Sequence, residues 1–298
     1  MGERPAPLSP PPAVSRPPEQ LAGIRPRHSW GQNFLIDAEI RSRIVDCARI
    51  EADDVVLEIG AGPGVLTPLL CQRAARVIAV EIDPRLAARL RAQAPGAEVL
   101  IQDVLELDLS QLFPEGGEIV VGNIPYYLTG FLVRRLLDQK PGPRRLCLLV
   151  QREVARRWCG LDGWSLSTLA VQLQARCRIE FEVPPSAFWP VPQVDSALVV
   201  MDVLQAPAIE LVDPQVLLRR AEAIFQHRRK QLRGALARAL GLSAEETTAI
   251  LERSELDPSR RAESLSLAEW GRLDHQIGAR LKSSEADPPA VARPARRA

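Results

Sequence analysis

Short apolar runs alternate with amphipathic stretches from residue 55 to residue 203. Val55, Val56, Leu57 and Ile59 form a mostly β-branched run closed by glycine, which predicts a strand over 55–59. A helix is expected over 65–73, a strand over 77–81, and a helix over 84–93 with Pro84 in its first turn. Further strands are expected over 99–101, 118–121 and 146–150, with a helix over 129–137 before the last of these. The runs 180–183 and 196–203 are expected to supply an edge hairpin. Continuous apolar strands separated by helices imply a parallel sheet covered on both faces, so the fold class expected is α/β. After about residue 205 the strand signal ends. Leu218, Ala221, Phe225, Leu232, Leu236 and Leu240 keep one face apolar at helical spacing. The expected organisation is a sheet domain over 26–205 and a small all-helical domain over 206–281. Residues 1–25 and 282–298 read as disordered tails, since seven of the first eighteen residues are proline and the end is rich in Ala, Pro and Arg.

Composition narrows the function classes. The chain has 298 residues, 46% of them hydrophobic and 25% charged, which are ordinary globular values. No apolar run reaches the ~18 residues of a membrane-spanning helix, and the proline-rich start is not a secretory signal. The five cysteines, Cys47, Cys71, Cys147, Cys159 and Cys177, are odd in number and contain no C-x-x-C. This argues against a disulfide framework and a structural zinc site, and a reducing cytoplasm is the expected location. The net charge is +1, so any nucleic-acid partner must be held by a local basic patch.

The candidate chemistry begins at Glu58-Ile59-Gly60-Ala61-Gly62-Pro63-Gly64, between the first strand and a helix. Glycine there lets the backbone pass close under a ligand. The spacing is G-x-G-x-G, not the G-x-G-x-x-G of a dinucleotide enzyme, and a structural turn is the bland alternative. Glu81 ends the next strand, where an acid can hold ribose hydroxyls, and Asp103 follows the third, where a carboxylate can accept an adenine amine. For each acid alone, a solvated strand end is an equal reading. Together they imply a ligand with a ribose and an adenine. No G-K-[ST] follows the glycines, which disfavours a triphosphate. Gly122-Asn123-Ile124-Pro125-Tyr126-Tyr127 then follows the fourth strand. An asparagine oxygen and a neighbouring carbonyl can both accept from a planar amino group, proline stiffens the loop, and an aromatic ring can stack on a base.

Asn123-Ile124-Pro125-Tyr126 resembles the target-amine motif of adenine-N6 methyltransferases that use S-adenosylmethionine. From about Arg27 to Arg280 the chain resembles the KsgA/RsmA family of ribosomal RNA adenine dimethyltransferases. The resemblance rests on these segments and on Gly31-Gln32-Asn33-Phe34-Leu35, Val80-Glu81-Ile82-Asp83, Gln102-Asp103, 183–188, 190–196 and 225–230. It implies a Rossmann-like class I methyltransferase sheet and an RNA-binding helical domain. It implies that Asn33 and Leu35 line the cofactor entrance, Gly60 meets the methionine part of S-adenosylmethionine, Glu81 the ribose and Asp103 the adenine. It implies that Asn123 binds both the cofactor side and the target amine, with Pro125 in the same catalytic loop, that Tyr126 stacks on the flipped adenine, and that Phe188 closes its other face. Glu58 is expected either to hold the glycine loop or to be an ordinary strand-end acid. The implied reaction is dimethylation of two adjacent adenosines in a hairpin loop near the 3′ end of 16S rRNA, in an assembling small subunit, by a monomer without a metal.

The sequence departs from the family pattern at Arg25, Arg27, His28 and Trp30, and in the loop from Cys159 to Trp164. Both departures are expected on RNA-facing surface. The stretch 219–238 holds seven Lys or Arg and one acid, centred on Arg228, Arg229, Lys230 and Arg233. It reads as a basic helix for phosphate contacts or as a solvated face. Arg156 and Arg157 are expected to extend the same face, His227 to be a phosphate neighbour, and Cys159 to be incidental. A large-subunit rRNA methyltransferase of the resistance type is a rival, as is a non-catalytic RNA-binding assembly or transcription factor. A nicotinamide dehydrogenase fails on the glycine spacing and on Asn123-Ile124-Pro125-Tyr126.

Overall fold

The central strands coincide with the β-branched runs, and several of the helices start at a side chain that caps them. The computed structural model describes residues 19–27, 30–125, 128–211 and 213–286. In chain order the elements of the sheet unit are β1 Phe34–Leu35, α1 Ala38–Ala48, β2 Val55–Ile59, α2 Thr67–Cys71, β3 Arg76–Glu81, α3 Pro84–Gln93, β4 Glu98–Ile101, α4 Leu109–Leu112, β5 Ile119–Asn123, α5 Thr129–Asp138, β6 Arg145–Gln151 and α6 Arg152–Trp158. Then follow α7 Leu166–Gln174, β7 Ala175–Val183, β8 Phe188–Trp189, β9 Ser196–Val203, α8 Pro214–Phe225, α9 Leu232–Leu240, α10 Ala244–Arg253 and α11 Leu267–Ala286. Asp37, Asp83, Asp108 and Asp213 cap α1, α3, α4 and α8 through side-chain acceptors, with Pro84 and Pro214 in the first turns of α3 and α8. Ser243 and Glu246 close a reciprocal capping box on α10.

Seven strands form one sheet in the order β4-β3-β2-β5-β6-β9-β7. All neighbours are parallel except at β9, which runs antiparallel to both β6 and β7. The class I methyltransferase type of sheet is therefore present. The expected edge hairpin is present, since β7 and β9 pair antiparallel at one end of the sheet; the 180–183 run is part of a nine-residue strand, and β7 is outermost. Its alternating polar positions, Arg176, Arg178, Glu180 and Glu182, suit an edge. The reversal of strand order falls between β2 and β5, where the C-terminal strand ends open a crevice.

The chain divides into two compact units. The first comprises the residues up to Asp162 together with Gln174–Ala206, and the second comprises Gly163–Leu173 with the residues from Pro207 on. The segment 163–173, expected in the sheet domain, thus groups with the helices. Leu169 and Leu173 of α7 are fully buried in one core with Leu218, Ala221, Leu236, Leu251 and Trp270. The core of the first unit packs Ile40, Ile44 and Val45 of α1 against Val56, Val121, Leu149 and Val200 of the sheet.

Two expectations about the ends change. Residues 19–25 are not a tail: Glu19–Leu21 makes one 3-10 turn, and Leu21 is fully buried with Phe34 and Leu86. At the other end α11 continues to Ala286, five residues into the expected tail. Residues 1–18 and 287–298 lie outside the described residues.

Candidate active site

Strand alternation and two glycines decide what faces the crevice. The backbone N–H groups of Gly60 and Ala61 both donate to the Val80 carbonyl, at 3.0 and 3.2 Å, which binds the glycine loop to β3. Gly60 has φ +72°, and a Cβ there would lie 3.1 Å from the Asn123 carbonyl oxygen. Gly62 has φ +59°, and its Cβ would lie 3.3 Å from the Phe34 ring. Both positions combine the left-handed backbone with a close approach, so a side chain is excluded on two counts.

Glu81 ends β3 and is nearly buried. Its Oε2 accepts from Gly62 N–H at 2.8 Å and its Oε1 from Asp83 N–H at 2.7 Å. Burial pushes its pKa up, while the two N–H groups and the Ile82 backbone oppose that shift. Asp83 accepts from Arg85 and from Gln32 Nε2 at 3.1 Å, and these bonds, Arg85 foremost, hold it at about 2. The Gln32 bond fastens the 31–33 segment beside the site. Asp103 Oδ1 accepts from Leu105 N–H at 2.9 Å in the turn after β4. Asn123 at the end of β5 donates from Nδ2 to the Asn33 carbonyl at 2.8 Å, and Asn33 Nδ2 donates to the Gly31 carbonyl at 3.2 Å.

These groups surround one cavity of about 250 Å3. Asn33, Gly60, Glu81, Asp103, Asn123 and Pro125 all line it, as do Trp30 and Gln102. Trp30, one of the departures, stands at the cavity with the Arg27 guanidinium 4.4 Å over its ring. Tyr126 and His28 lie outside the described residues.

Two expected site residues are elsewhere. Leu35 and Phe188 are directly opposed across the β1–β8 ladder, 0% and 1% exposed, and both belong to the core over α1. Neither lines the cavity. Successive residues of a strand point to opposite faces, so their neighbours Phe34 and Trp189 turn the other way. Those two rings stack at 6.4 Å, and it is Phe34 that reaches the cavity. Glu58 also differs from the loop-holding role, which Glu81 performs. Glu58 is 2% exposed, and its Oε2 has no hydrogen-bond partner among the described residues. Burial, reinforced by the charge of Glu81 and opposed by Thr67, pushes its carboxyl up to about 8.

One residue of the site was not anticipated. Arg135 on α5 donates to the Val104 carbonyl at 2.8 Å and also to the carbonyls of Leu105 and Leu107. Val104 and Leu105 line the cavity beside Asp103, so α5 fixes the turn that carries the acid. In sequence Arg135 is one of two adjacent arginines on a helix, and nothing there separates it from solvated Arg134.

The basic cluster lies in the second unit. It is not a continuous helix: Arg228, Arg229 and Lys230 occupy the turn between α8 and α9, and Arg233 sits in the first turn of α9. All four are exposed, and none forms an ion pair among the described residues. Arg156, on α6 of the first unit, pairs with Asp162 at 2.7 Å, and Arg152 with Asp195 at 2.7 Å. Among the described residues no group of three His, Cys, Asp or Glu is placed to hold a metal, and no helix is long and apolar enough to cross a membrane.

Residues 23–273 match the sequence model of the family described as ribosomal RNA adenine dimethylase. A ribosomal RNA small subunit methyltransferase A of Dehalococcoides mccartyi is 35% identical over 91% of this chain and 97% of its own length. The crystal structure of 23S rRNA methyltransferase ErmE superposes with a TM-score of 0.69 at 29% identity, covering 83% of this chain and all of that one. A dimethyladenosine transferase from Plasmodium falciparum superposes at 0.72 with 23% identity, covering 83% and 98%, and shares the fold.

Proposed function

Since the chain belongs to the ribosomal RNA adenine dimethylase family, we infer that it transfers methyl groups from S-adenosylmethionine to the N6 amines of adenosines in 16S rRNA of the small subunit. It is an S-adenosylmethionine-dependent methyltransferase by that membership. The finer reading is two adjacent adenosines in a 3′-end hairpin loop of an assembling subunit, modified in the cytoplasm by a monomer. The observation that carries the reading is the meeting of Asn123 and Pro125 with Glu81 and Asp103 around one cavity.

The residues fit the cofactor. Two acids at successive strand ends suit a ribose and an adenine amine, and the glycine backbone leaves room for the chain between them. S-adenosylmethionine supplies a methyl group on a positively charged sulfur, already a strong electrophile. The protein's own task is then placement. Glu81 would hold ribose hydroxyls while keeping its bonds to Gly62 and Asp83. Asp103, one oxygen of which accepts from Leu105 N–H, would hold the adenine amine. Asn123 Nδ2 is held by Asn33, which aims Oδ1 at the target amine. An acceptor there would favour a pyramidal N6, which frees its lone pair from the ring. A base must first leave its stack at a cost of about a few kcal/mol, which selects unpaired adenosines. The exposed cations of the second unit are proposed to hold phosphates and supply most of the affinity.

The large-subunit reading is not favoured, because the relative at 35% identity over nearly its whole length carries the small-subunit name. The test is radiolabelled S-adenosylmethionine offered with under-methylated small subunits, with large subunits and with the naked RNA of each. Label recovered as dimethyladenosine from small-subunit RNA alone is the expected result. Label in large-subunit RNA moves the chain to the resistance branch. Bound cofactor with no label in any RNA means a non-catalytic assembly factor.

A further inference from the structure

The sulfur atoms of Cys159 and Cys177 lie 3.1 Å apart, inside the van der Waals contact of two sulfurs. Both are free thiols, and both are partly exposed. Cys159 caps the C-terminus of α6, and Cys177 lies in the edge strand β7. The chain leaves the first unit after Asp162 and returns at Gln174. The two cysteines therefore flank the roots of the 163–173 excursion, and both roots belong to the first unit. An S–S bond of about 2.05 Å requires the sulfurs to close by about 1 Å, a small movement for a helix cap and an edge strand.

We propose that Cys159 and Cys177 are a peroxide-responsive thiol pair that closes reversibly to a disulfide across the base of this excursion. The chemistry is asymmetric. The hydrogen bond with Cys177 holds Cys159 below the usual thiol range, and the same bond raises Cys177. Cys159 is thus the more thiolate-like sulfur and the one that attacks. Its sulfur takes an oxygen from hydrogen peroxide, the O–O bond breaks, and the departing hydroxide is protonated to water. Cys159 is then a sulfenic acid, oxidised by two electrons. Cys177 attacks that sulfur, the S–O bond breaks, and the oxygen leaves as a second water with the Cys177 proton. Two thiols and one peroxide give one disulfide and two waters. The other cysteines lack a thiol neighbour at this distance. Cys147 is fully buried, and its thiol is pushed up to about 12, chiefly by burial.

The pair is compatible with a reducing compartment because it is reversible and adds nothing needed for folding. Closure fixes the C-terminus of α6 and the start of the Cys159–Trp164 loop to β7. That loop is one of the two places where the sequence departs from the family pattern.

The reduced full-length protein is treated with a small excess of hydrogen peroxide, alkylated with N-ethylmaleimide, digested without reductant and mapped by mass spectrometry. The expected product is a peptide pair joined through Cys159 and Cys177, lighter by two hydrogens than the sum of its halves and released by dithiothreitol. In Cys177→Ser, dimedone is expected to trap a sulfenic acid at Cys159, which separates the attacking sulfur from the resolving one. If that variant does not fold, the wild-type map decides alone. Two alkylated cysteines, sulfinic or sulfonic Cys159 without the joined peptide, or a cross-link between two chains each overturn the proposal.

Discussion

At residue scale the site sets two buried carboxyls against each other. Glu81 takes two backbone N–H groups, whereas Glu58 has one oxygen without a partner and is held near 8. Glu81, whose pKa burial also raises, is the acid that binds the loop through those two N–H groups. The folded chain holds the Glu58 proton more tightly than the unfolded chain, whose carboxyl titrates near 4.5. Stability from this group is therefore complete below about pH 4.5 and is lost as pH rises towards 8. At roughly 1.4 kcal/mol per pKa unit the loss amounts to a few kcal/mol. Glu58→Gln is expected to flatten the fall in Tm across that range, read by thermal melts at several pH values. Asp83 behaves oppositely: its depressed pKa gives stability that is present above about 3.8 and is lost as pH falls through about 2. On the proposed reading the decisive residue for catalysis is Asn123. Asn123→Ala is expected to cut methyl transfer by about a hundredfold or more with an unchanged far-UV spectrum. Retained transfer sinks the motif assignment.

At the scale of elements, the cavity proposed for the cofactor is bounded by turns held by neighbours. Val80 holds the glycine loop, Gln32 ties the 31–33 segment to the cap of α3, and α5 grips the turn after β4 through Arg135. Loss of Arg135 frees the Val104, Leu105 and Leu107 carbonyls and loosens the backbone beside Asp103. Arg135→Ala is expected to raise the Kd for S-adenosylmethionine about tenfold, the cost of one charged hydrogen bond. The rate at saturating cofactor should change much less. Calorimetric titration and initial rates separate the two, and Arg135→Lys should recover part of the affinity. An equal loss in both would mean that α5 serves catalysis directly.

At the scale of the whole molecule, near-zero net charge conceals a local cationic surface. Arg228, Arg229, Lys230 and Arg233, on one turn and the start of one helix, are exposed and form no ion pair among the described residues, while many other arginines are spent on ion pairs. Binding of RNA should weaken steeply with salt. Replacing Arg228 and Arg229 by alanine should lower the slope of log K against log salt by roughly 1.4, at about 0.7 per phosphate contact on single strands. Cofactor affinity should not move. An unchanged slope in a filter-binding series would leave this turn a solvated surface.

The order of strands and helices through the first unit is written in local chemistry: β-branched runs, Pro84 at a helix start, and glycines after β2. So were Gly60, Glu81, Asp103 and Asn123, because each sits at a strand end, and strand ends can be read from apolar runs. That Leu35 and Phe188 are buried off the cavity was not legible, because a motif names residues but not the face they take, and a two-residue ladder turns neighbours in opposite directions. The 163–173 segment was misplaced because its apolar face is satisfied only by helices more than forty residues later. Arg135 and the Cys159–Cys177 pair carry no local signal at all. Their roles come from carbonyls about thirty residues away and from a thiol eighteen residues on. Local patterning determines which elements form and where their ends lie; only the tertiary structure decides what those ends meet, since contact between distant residues depends on the packing of every element between them.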